Sequence, residues 1–550
     1  MKVYLKDLGA SGWMPDVDPS ELPPNAWSDC LNVRFVNGRV EQRQGYLEVA
    51  RGNKIVPLWL AQHSVGATKY IIQACAARVF ASDGSGTATE ITGTAPTGDE
   101  DDKWTGGVLG GILVLTNGVD VPTYWDGNTA NNLVTLTDWT GTERCKALRP
   151  FKNYLVALNI TKGSTNYPHM VKWSHSADPG ALPSSWDETD PAVDAGEQDL
   201  ADTQDEIVDG LPLGDIFVIY KERSMYGMQF IGAPLIWRFF RLPDNNQGAV
   251  ARNCVAQTPQ GHVVFSGSDV FLHNGQGVRS LIEGRARQWL IDTIDPTYYR
   301  RSFVAANDDK KEVWVCFPES GKTYCTMALV WNWDSNTLSR VKLPRCYHGV
   351  SVDADLALDP WNGGLAGISY SGFPTDPVGV DEWDYESVET WSTYVDYTSS
   401  SRTFFLLACD QINIEGGHVL AADLSSMGTY DDHESTRPAY GIMTGFVQRS
   451  GFVLNDDHGR FKLSTVWPRY YGEGITASYM PSMQAQGTDS PETATSFAYA
   501  TTSPLTKAYT PHRYTGVISG RYLSFRIDMS ATYPARFKTL VFDVQPLGQY

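Results

Sequence analysis

Side chains able to do chemistry are plentiful in this chain, but few are grouped. Its 63 Asp and Glu supply many carboxylate pairs. Glycoside hydrolysis needs two carboxylates converging across a cleft, and no spacing here singles out such a pair. The ten histidines (His63, His169, His175, His262, His273, His348, His418, His433, His458 and His512) are dispersed, and none stand at a metal-ligand spacing such as HExxH. There is no GxSxG elbow for a serine hydrolase and no GxxxxGK loop for a nucleotide phosphate. Asp83-Gly-Ser-Gly86 and Asn455-Asp-Asp-His-Gly459 faintly resemble calcium loops but lack the alternating ligands and the terminal Glu, so they read as turns. The eight cysteines are scattered with no CxxC pair, which suits reduced, buried thiols in a chain folded in a cytoplasm. No catalytic set, metal site or cofactor is expected.

One dense chemical feature remains. Between residues 187 and 209 stand Asp187, Glu188, Asp190, Asp194, Glu197, Asp199, Asp202, Asp205, Glu206 and Asp209, ten acids without a Lys or Arg. They carry −10 of a net −19. The stretch reads as a long loop, and a loop of that length in a compact domain is usually functional or an interface element. A second acidic, aromatic stretch at about 372–401 reads as an extended insertion. The last 110 residues reverse the sign, with ten bases against seven acids. That reversal suggests a terminal region facing a different partner, or the closing strands of the main domain.

The elements that must position these groups are strands. The 42% apolar content excludes a disordered chain. The acidic total excludes a protein that wraps DNA by neutralising phosphates, yet it suits a surface that DNA passes without sticking. No apolar run approaches the length needed to span a membrane, and the first residues lack a signal-peptide core. Short runs rich in Val, Ile, Phe, Tyr and Trp form six hairpins about 40 to 60 residues apart. They begin at Tyr70, Gly111, Asn153, Gly214, Gly261 and Lys311. The first strand of each is apolar on both faces; the second alternates more, as if nearer a rim. The expected fold is all-β, an irregular β-propeller of about six blades with inserted loops and a C-terminal β region. The expected layout is an N-terminal β segment (1–50), propeller blades (51–370), the extended insertion (371–402), then closing strands and a C-terminal β region (403–550). A single short helix is expected over 284–295, ended by Pro296. Trp125, Trp173, Trp331 and Trp333 fall at equivalent hairpin ends. They suit either a carbohydrate platform or packing between blades, and packing is the commoner use.

Several blocks carry a resemblance. Leu22-Pro-Pro-Asn-Ala-Trp-Ser-Asp-Cys-Leu-Asn-Val-Arg-Phe35 is followed by Gly38 and Gly45-Tyr46. Thr116-Asn-Gly118 is followed by Asp120, Pro122 and Trp125-Asp-Gly127. Asp209-Gly-Leu-Pro-Leu-Gly-Asp-Ile-Phe-Val-Ile-Tyr-Lys-Glu-Arg-Ser-Met-Tyr226 is the most specific block. Gln247-Gly248, Thr258-Pro-Gln-Gly-His-Val-Val-Phe265, Asn274-Gly-Gln-Gly277 and Val517-Ile-Ser-Gly-Arg-Tyr-Leu-Ser-Phe-Arg526 continue the series. Together these resemble the tail-hub, or nozzle, proteins of short-tailed bacteriophages, the packaged-DNA stabilisation and tail-tubular family. The match runs most of the chain in order and is weakest at 372–440. It is a pattern of glycines and aromatics, not a catalytic signature.

The resemblance implies a structural virion protein of the tail, assembled in the host cytoplasm. It implies a homo-oligomeric ring, typically a hexamer, below the portal and its adaptor. Packaged double-stranded DNA would pass through the ring without sequence-specific binding, and tail fibres or spikes would attach nearby. It brings no catalytic residues. The ten acids from Asp187 to Asp209 are then expected at the lumen or at a subunit interface, because basic walls would hold phosphate and stall ejection. The alternative is a propeller that binds or cleaves surface glycans, motivated by the Trp-bearing hairpin ends. A receptor-binding fibre ranks last, since no coiled-coil or β-helix repeat is present.

Overall fold

The computed structural model describes residues 1–52, 55–83, 88–243, 246–354, 358–359, 364–365, 402–410, 417–423, 443–453, 460–471, 475–482, 495–499, 514–520, 522–529 and 536–548. The fold is nearly all β. All six expected hairpins are antiparallel pairs, each forming the second and third strands of its sheet; the first five sheets are four-stranded meanders and the sixth is seven-stranded. The first sheet runs Pro57–Val65, Thr68–Cys75, Val79–Ser82, Ala88–Glu90; the second Thr105–Leu109, Ile112–Thr116, Thr123–Trp125, Val134–Thr135. The third runs Arg144–Phe151, Tyr154–Lys162, Thr165–Trp173, Gly196–Asp199; the fourth Ile207–Leu213, Ile216–Lys221, Met225–Phe230, Trp237–Arg241. The fifth runs Val255–Thr258, Gly261–Phe265, Val270–His273, Val278–Ser280. The sixth begins Phe303–Asn307, Glu312–Phe317, Cys325–Asn332, Thr337–Ala354 and continues through Arg402–Asp410 and Gly417–Ala422 to Tyr46–Gly52.

The sequence pattern explains the order within a sheet. Second strands such as Gly261–Phe265 and Glu312–Phe317 are buried along their whole length, as apolar runs covered on both faces must be. Fourth strands such as Val134–Thr135 and Gly196–Asp199 are short and largely exposed. The exposed edge therefore lies one strand further out than the alternation of the hairpins suggests.

Consecutive sheets meet along their first strands, from Thr105–Leu109 through to Phe303–Asn307. Strands Thr337–Ala354 and Arg402–Asp410 of the sixth sheet touch Pro57–Val65 of the first. A separate apolar cluster fills each joint. Leu58, Ile72, Leu113 and Trp125 join the first two sheets, Val114, Leu148 and Leu155 the second and third, and Val156, Phe217 and Met228 the third and fourth. Val218, Tyr220 and Val264 join the fourth and fifth, and Val263, Phe265, Val313 and Val315 the fifth and sixth. Leu60, Ile71, Leu406 and Val419 join the sixth to the first.

The N-terminal segment is not a unit apart. Lys2–Leu5 and Arg39–Gln42 pair with Arg536–Gly548, and Asp29–Leu31 pairs with Gly445–Val453. The two ends of the chain build joint sheets whose apolar face shares the core of the fifth and sixth sheets through Trp27, Phe461, Phe525 and Phe542. A buried ionic knot fastens this region. The Arg43 guanidinium gives two bonds of 2.9 Å to Glu312 and one of 3.1 Å to Asp423, and Arg34 pairs with the same Asp423. Desolvation opposes charge at Arg43, but the two carboxylates outweigh it and raise its pKa.

The expected helix is present as Arg287–Thr293. Asp16, far away in sequence, caps it by accepting from the backbone N–H groups of Gln288 and Trp289 at 2.7 and 3.0 Å. The extended insertion expected at 371–402 falls almost entirely outside the described residues.

Candidate functional site

The acidic stretch is not one loop. Gly196–Asp199 is the outer strand of the third sheet, and Ile207–Asp209 opens the first strand of the fourth. Both were hidden in the sequence because acids are poor strand formers. Here Glu188, Glu197, Asp205 and Asp209 have lysines or arginines opposite them, which composition within the stretch cannot reveal.

The inner half of the stretch is neutralised by the third sheet. Lys172 alternates inward between Val171 and Trp173 and has no exposed side-chain surface. Its ammonium donates to Glu188 at 2.8 Å and Glu143 at 3.2 Å. Lys162 donates to Glu197 at 2.6 Å and to Glu188 at 3.2 Å. Partial burial works to raise the Glu188 carboxyl, but the two ammonium groups overcome it and bring its pKa down to about 2. Asp194 accepts from the Tyr154 hydroxyl at 3.0 Å. Asp205 accepts from the Ser224 hydroxyl and the Arg223 amide, 3.5 Å from the Lys221 ammonium.

Asp209 is fully buried, so it faces neither a lumen nor a neighbouring subunit. Arg149, on the first strand of the third sheet, grips it from two directions, Nε to Oδ1 at 2.9 Å and Nη2 to Oδ2 at 2.8 Å. The amides of Gly210 and Asn253 donate to the same carboxylate at 2.8 and 2.9 Å. Burial alone would raise this carboxyl; Arg149 and the amide donors outweigh burial and lower it.

The knot reaches five sheets. Arg149 also bonds the Gly106 carbonyl of the second sheet and the side-chain oxygen of Asn253. Asn253, whose φ of 60° is one that Asn tolerates, bonds the Trp104 carbonyl at 2.9 Å and accepts from the Val304 amide at 2.8 Å. Lys103 donates to the carbonyls of Arg252 and Ser302. The place where the second to sixth sheets converge is thus filled with paired polar groups. Sequence reasoning missed Arg149, Asn253 and Lys103, because nothing local marks a side chain whose partners lie 43 to 199 positions away.

What stays at the surface is a smaller set: Asp187, Asp190, Asp199, Asp202 and Glu206. Asp187 and Asp190 each also accept a backbone N–H two residues on, from Thr189 and Ala192, which shapes the turn. Among the described residues, none of these exposed acids forms an ion pair with a Lys or Arg.

The hairpin-end tryptophans are engaged in packing. Trp125 is buried against His63 and Tyr70 of the first sheet. Trp331 is buried, and Trp333 lies against the same core. Trp173 stacks on Phe239 of the fourth sheet and donates to the Asp194 carbonyl at 2.7 Å. Among the described residues, no group of three or more His, Cys, Asp or Glu is arranged to hold a metal ion. Among them, too, no helix is long and apolar enough to cross a membrane.

No protein-family model matches this chain, and no curated protein matches it. Among solved structures it is similar to a chain titled "AfRom2 CNH domain", at 8% identity and a TM-score of 0.35. That match covers 69% of this chain and 99% of the other.

Proposed function

We propose that this chain is a structural subunit of the tail hub, or nozzle, of a short-tailed bacteriophage. In this reading six copies form a ring that continues the DNA channel below the portal and adaptor. The ring helps retain the packaged DNA and gives tail fibres or spikes a place to dock. The five four-stranded sheets and the longer sixth sheet are the blades of one irregular propeller. Support for that arrangement comes from the apolar cluster between every consecutive pair of sheets, including the sixth and the first.

The observation that carries the reading is where the family-like blocks fall. Several of them sit at joints between sheets, not around a cleft. The Thr116–Asp120 turn is closed by Asn117, which accepts from the Val119 and Asp120 amides, and its carbonyl receives Arg252 from the fifth sheet's approach. The Asp209–Tyr226 block supplies the knot carboxylate and the fourth sheet's hairpin. Gly248 lies so close to the fourth sheet that a Cβ there would stand 2.0 Å from the Lys221 carbonyl oxygen. Residues of this kind hold a scaffold together.

A conduit for DNA cannot run where the sheets converge, because Arg149, Asp209 and Asn253 fill that place. Any channel must be walled by several copies. The exposed acids Asp187, Asp190, Asp199, Asp202 and Glu206 suit such a wall, since like charge keeps a phosphate backbone from adhering. The alternative of a glycan-binding propeller loses its motivation with Trp125 and Trp331 buried.

Electron microscopy of the purified protein mixed with a portal–adaptor complex tests the proposal. A ring seated on the adaptor is expected. A monomer that ignores the adaptor and binds or degrades host polysaccharide would overturn it.

A further inference from the structure

Four of the eight cysteines share one core cluster in the sixth sheet: Cys316, Cys325, Cys346 and Cys409. Three of them form a row across neighbouring strands, with Cys325 opposite Cys346 and Cys346 opposite Cys409. The Cys346 and Cys409 sulfurs are in contact at 3.1 Å, and each residue is 1% exposed. Directly opposed residues on antiparallel strands hold their Cα atoms about 4.5–5.5 Å apart, inside the range a disulfide spans.

We propose that Cys346 and Cys409 are a disulfide-forming pair, oxidised by a small aliphatic disulfide when the sixth sheet opens locally. One thiolate attacks the reagent's sulfur, forming a mixed disulfide and releasing one reagent thiolate. The second protein thiolate then attacks the protein sulfur of that mixed disulfide and expels the other reagent thiolate. The two protons of the protein thiols end on the two reagent thiols, and two electrons pass from protein to reagent. The Cys346–Cys409 bond forms as the reagent's own disulfide breaks.

The surroundings set the rate. Burial, followed by the neighbouring Cys409, raises the Cys346 thiol, so thiolate is scarce at neutral pH and the closed sheet protects the pair. The Cys346 thiol also donates to the Pro344 carbonyl, which holds it on its own strand. Once formed, the bond would close a chain loop from 346 to 409 across two adjacent strands. Cross-linking a loop of this size restrains the unfolded chain and stabilises the fold. The proposal does not depend on the tail-hub reading.

The test is incubation of the whole protein with oxidised glutathione at pH 8.5, with and without sub-denaturing urea, followed by thiol counting and non-reducing peptide mapping. Two of the eight thiols should disappear, faster with urea, with one linkage joining the Cys346 and Cys409 peptides. The thermal midpoint should rise and return on reduction. Cys325→Ser should leave the linkage unchanged and Cys409→Ser should abolish it. Eight intact thiols under all conditions, a Cys325–Cys346 linkage, or only glutathione adducts would overturn the proposal; mapping of the unsubstituted protein decides even if a variant fails to fold.

Discussion

Arg149 and Asp209 meet as a two-pronged ion pair between the first strands of neighbouring sheets, at 2.9 and 2.8 Å, with 11% and 1% of their side chains exposed. Removing one partner leaves the other charge largely desolvated and without its counter-ion. Asp209→Asn should therefore cost about 3–5 kcal/mol in urea denaturation. Arg149→Met paired with Asp209→Leu should cost less than the two single changes added together, which a double-mutant cycle measures.

Acid should weaken the fold in two stages. The burial of His262, His273 and His348 holds their pKa values at about 4, about 4 and about 3, below the ordinary 6.5. Between pH 6.5 and about 4 the unfolded chain binds protons that the folded chain refuses, so stability falls as pH drops through that window. Glu188, lowered to about 2 from 4.5, adds a second loss between pH 4.5 and about 2. His348→Gln should flatten the upper stage and Glu188→Gln the lower; chemical denaturation at a series of pH values separates them.

The five exposed acids should behave unlike the buried ones. Changing Asp187, Asp190, Asp199 and Asp202 to Asn together with Glu206→Gln should leave stability within about 0.5 kcal/mol per site. The same variant built into a phage should alter genome retention or ejection. Normal assembly and ejection would remove these residues from any channel wall.

Gly248 makes a sharp steric prediction. With backbone oxygen 2.0 Å from the position of a Cβ, Gly248→Ala must push the fourth sheet away from its neighbour and should cost about 1–3 kcal/mol or more. Ser at the same site should be no better, and thermal unfolding compares the two.

How much of this could be read beforehand depended on locality. The six hairpins were legible because a buried strand, a Gly or Asn turn and a second strand all lie within about 20 residues of each other. The outer strands were not, because Val134–Thr135 and Gly196–Asp199 are too short and polar to carry a period. The acidic stretch was legible as a charge anomaly but not as two strands with bases facing them. Lys172 sits in the alternating Met170-Val-Lys-Trp173 run, where an inward lysine demands a carboxylate; that was the available signal. Arg149 offered none, since its partners come from three other sheets. The joining of the chain ends was foreshadowed only by the change of charge sign after residue 441.

That joining has a consequence for how the molecule is made. The amino group of Met1 bonds the Val544 carbonyl at 2.7 Å, and the Lys2–Leu5 strand has no partner but Arg536–Gly548 among the described residues. Lys2–Leu5 must therefore wait for a strand synthesised about 540 positions later. During that wait the N-terminal apolar residues that pack on those late strands, Trp27 above all, are left exposed to solvent and to other nascent chains. Contacts of such range slow folding, and synthesis halted before Arg536 would leave a product whose six sheets are complete but whose core is open. Output of finished protein should thus track chaperone supply more steeply than the compact sheets alone would suggest, as pulse-chase protease protection would reveal.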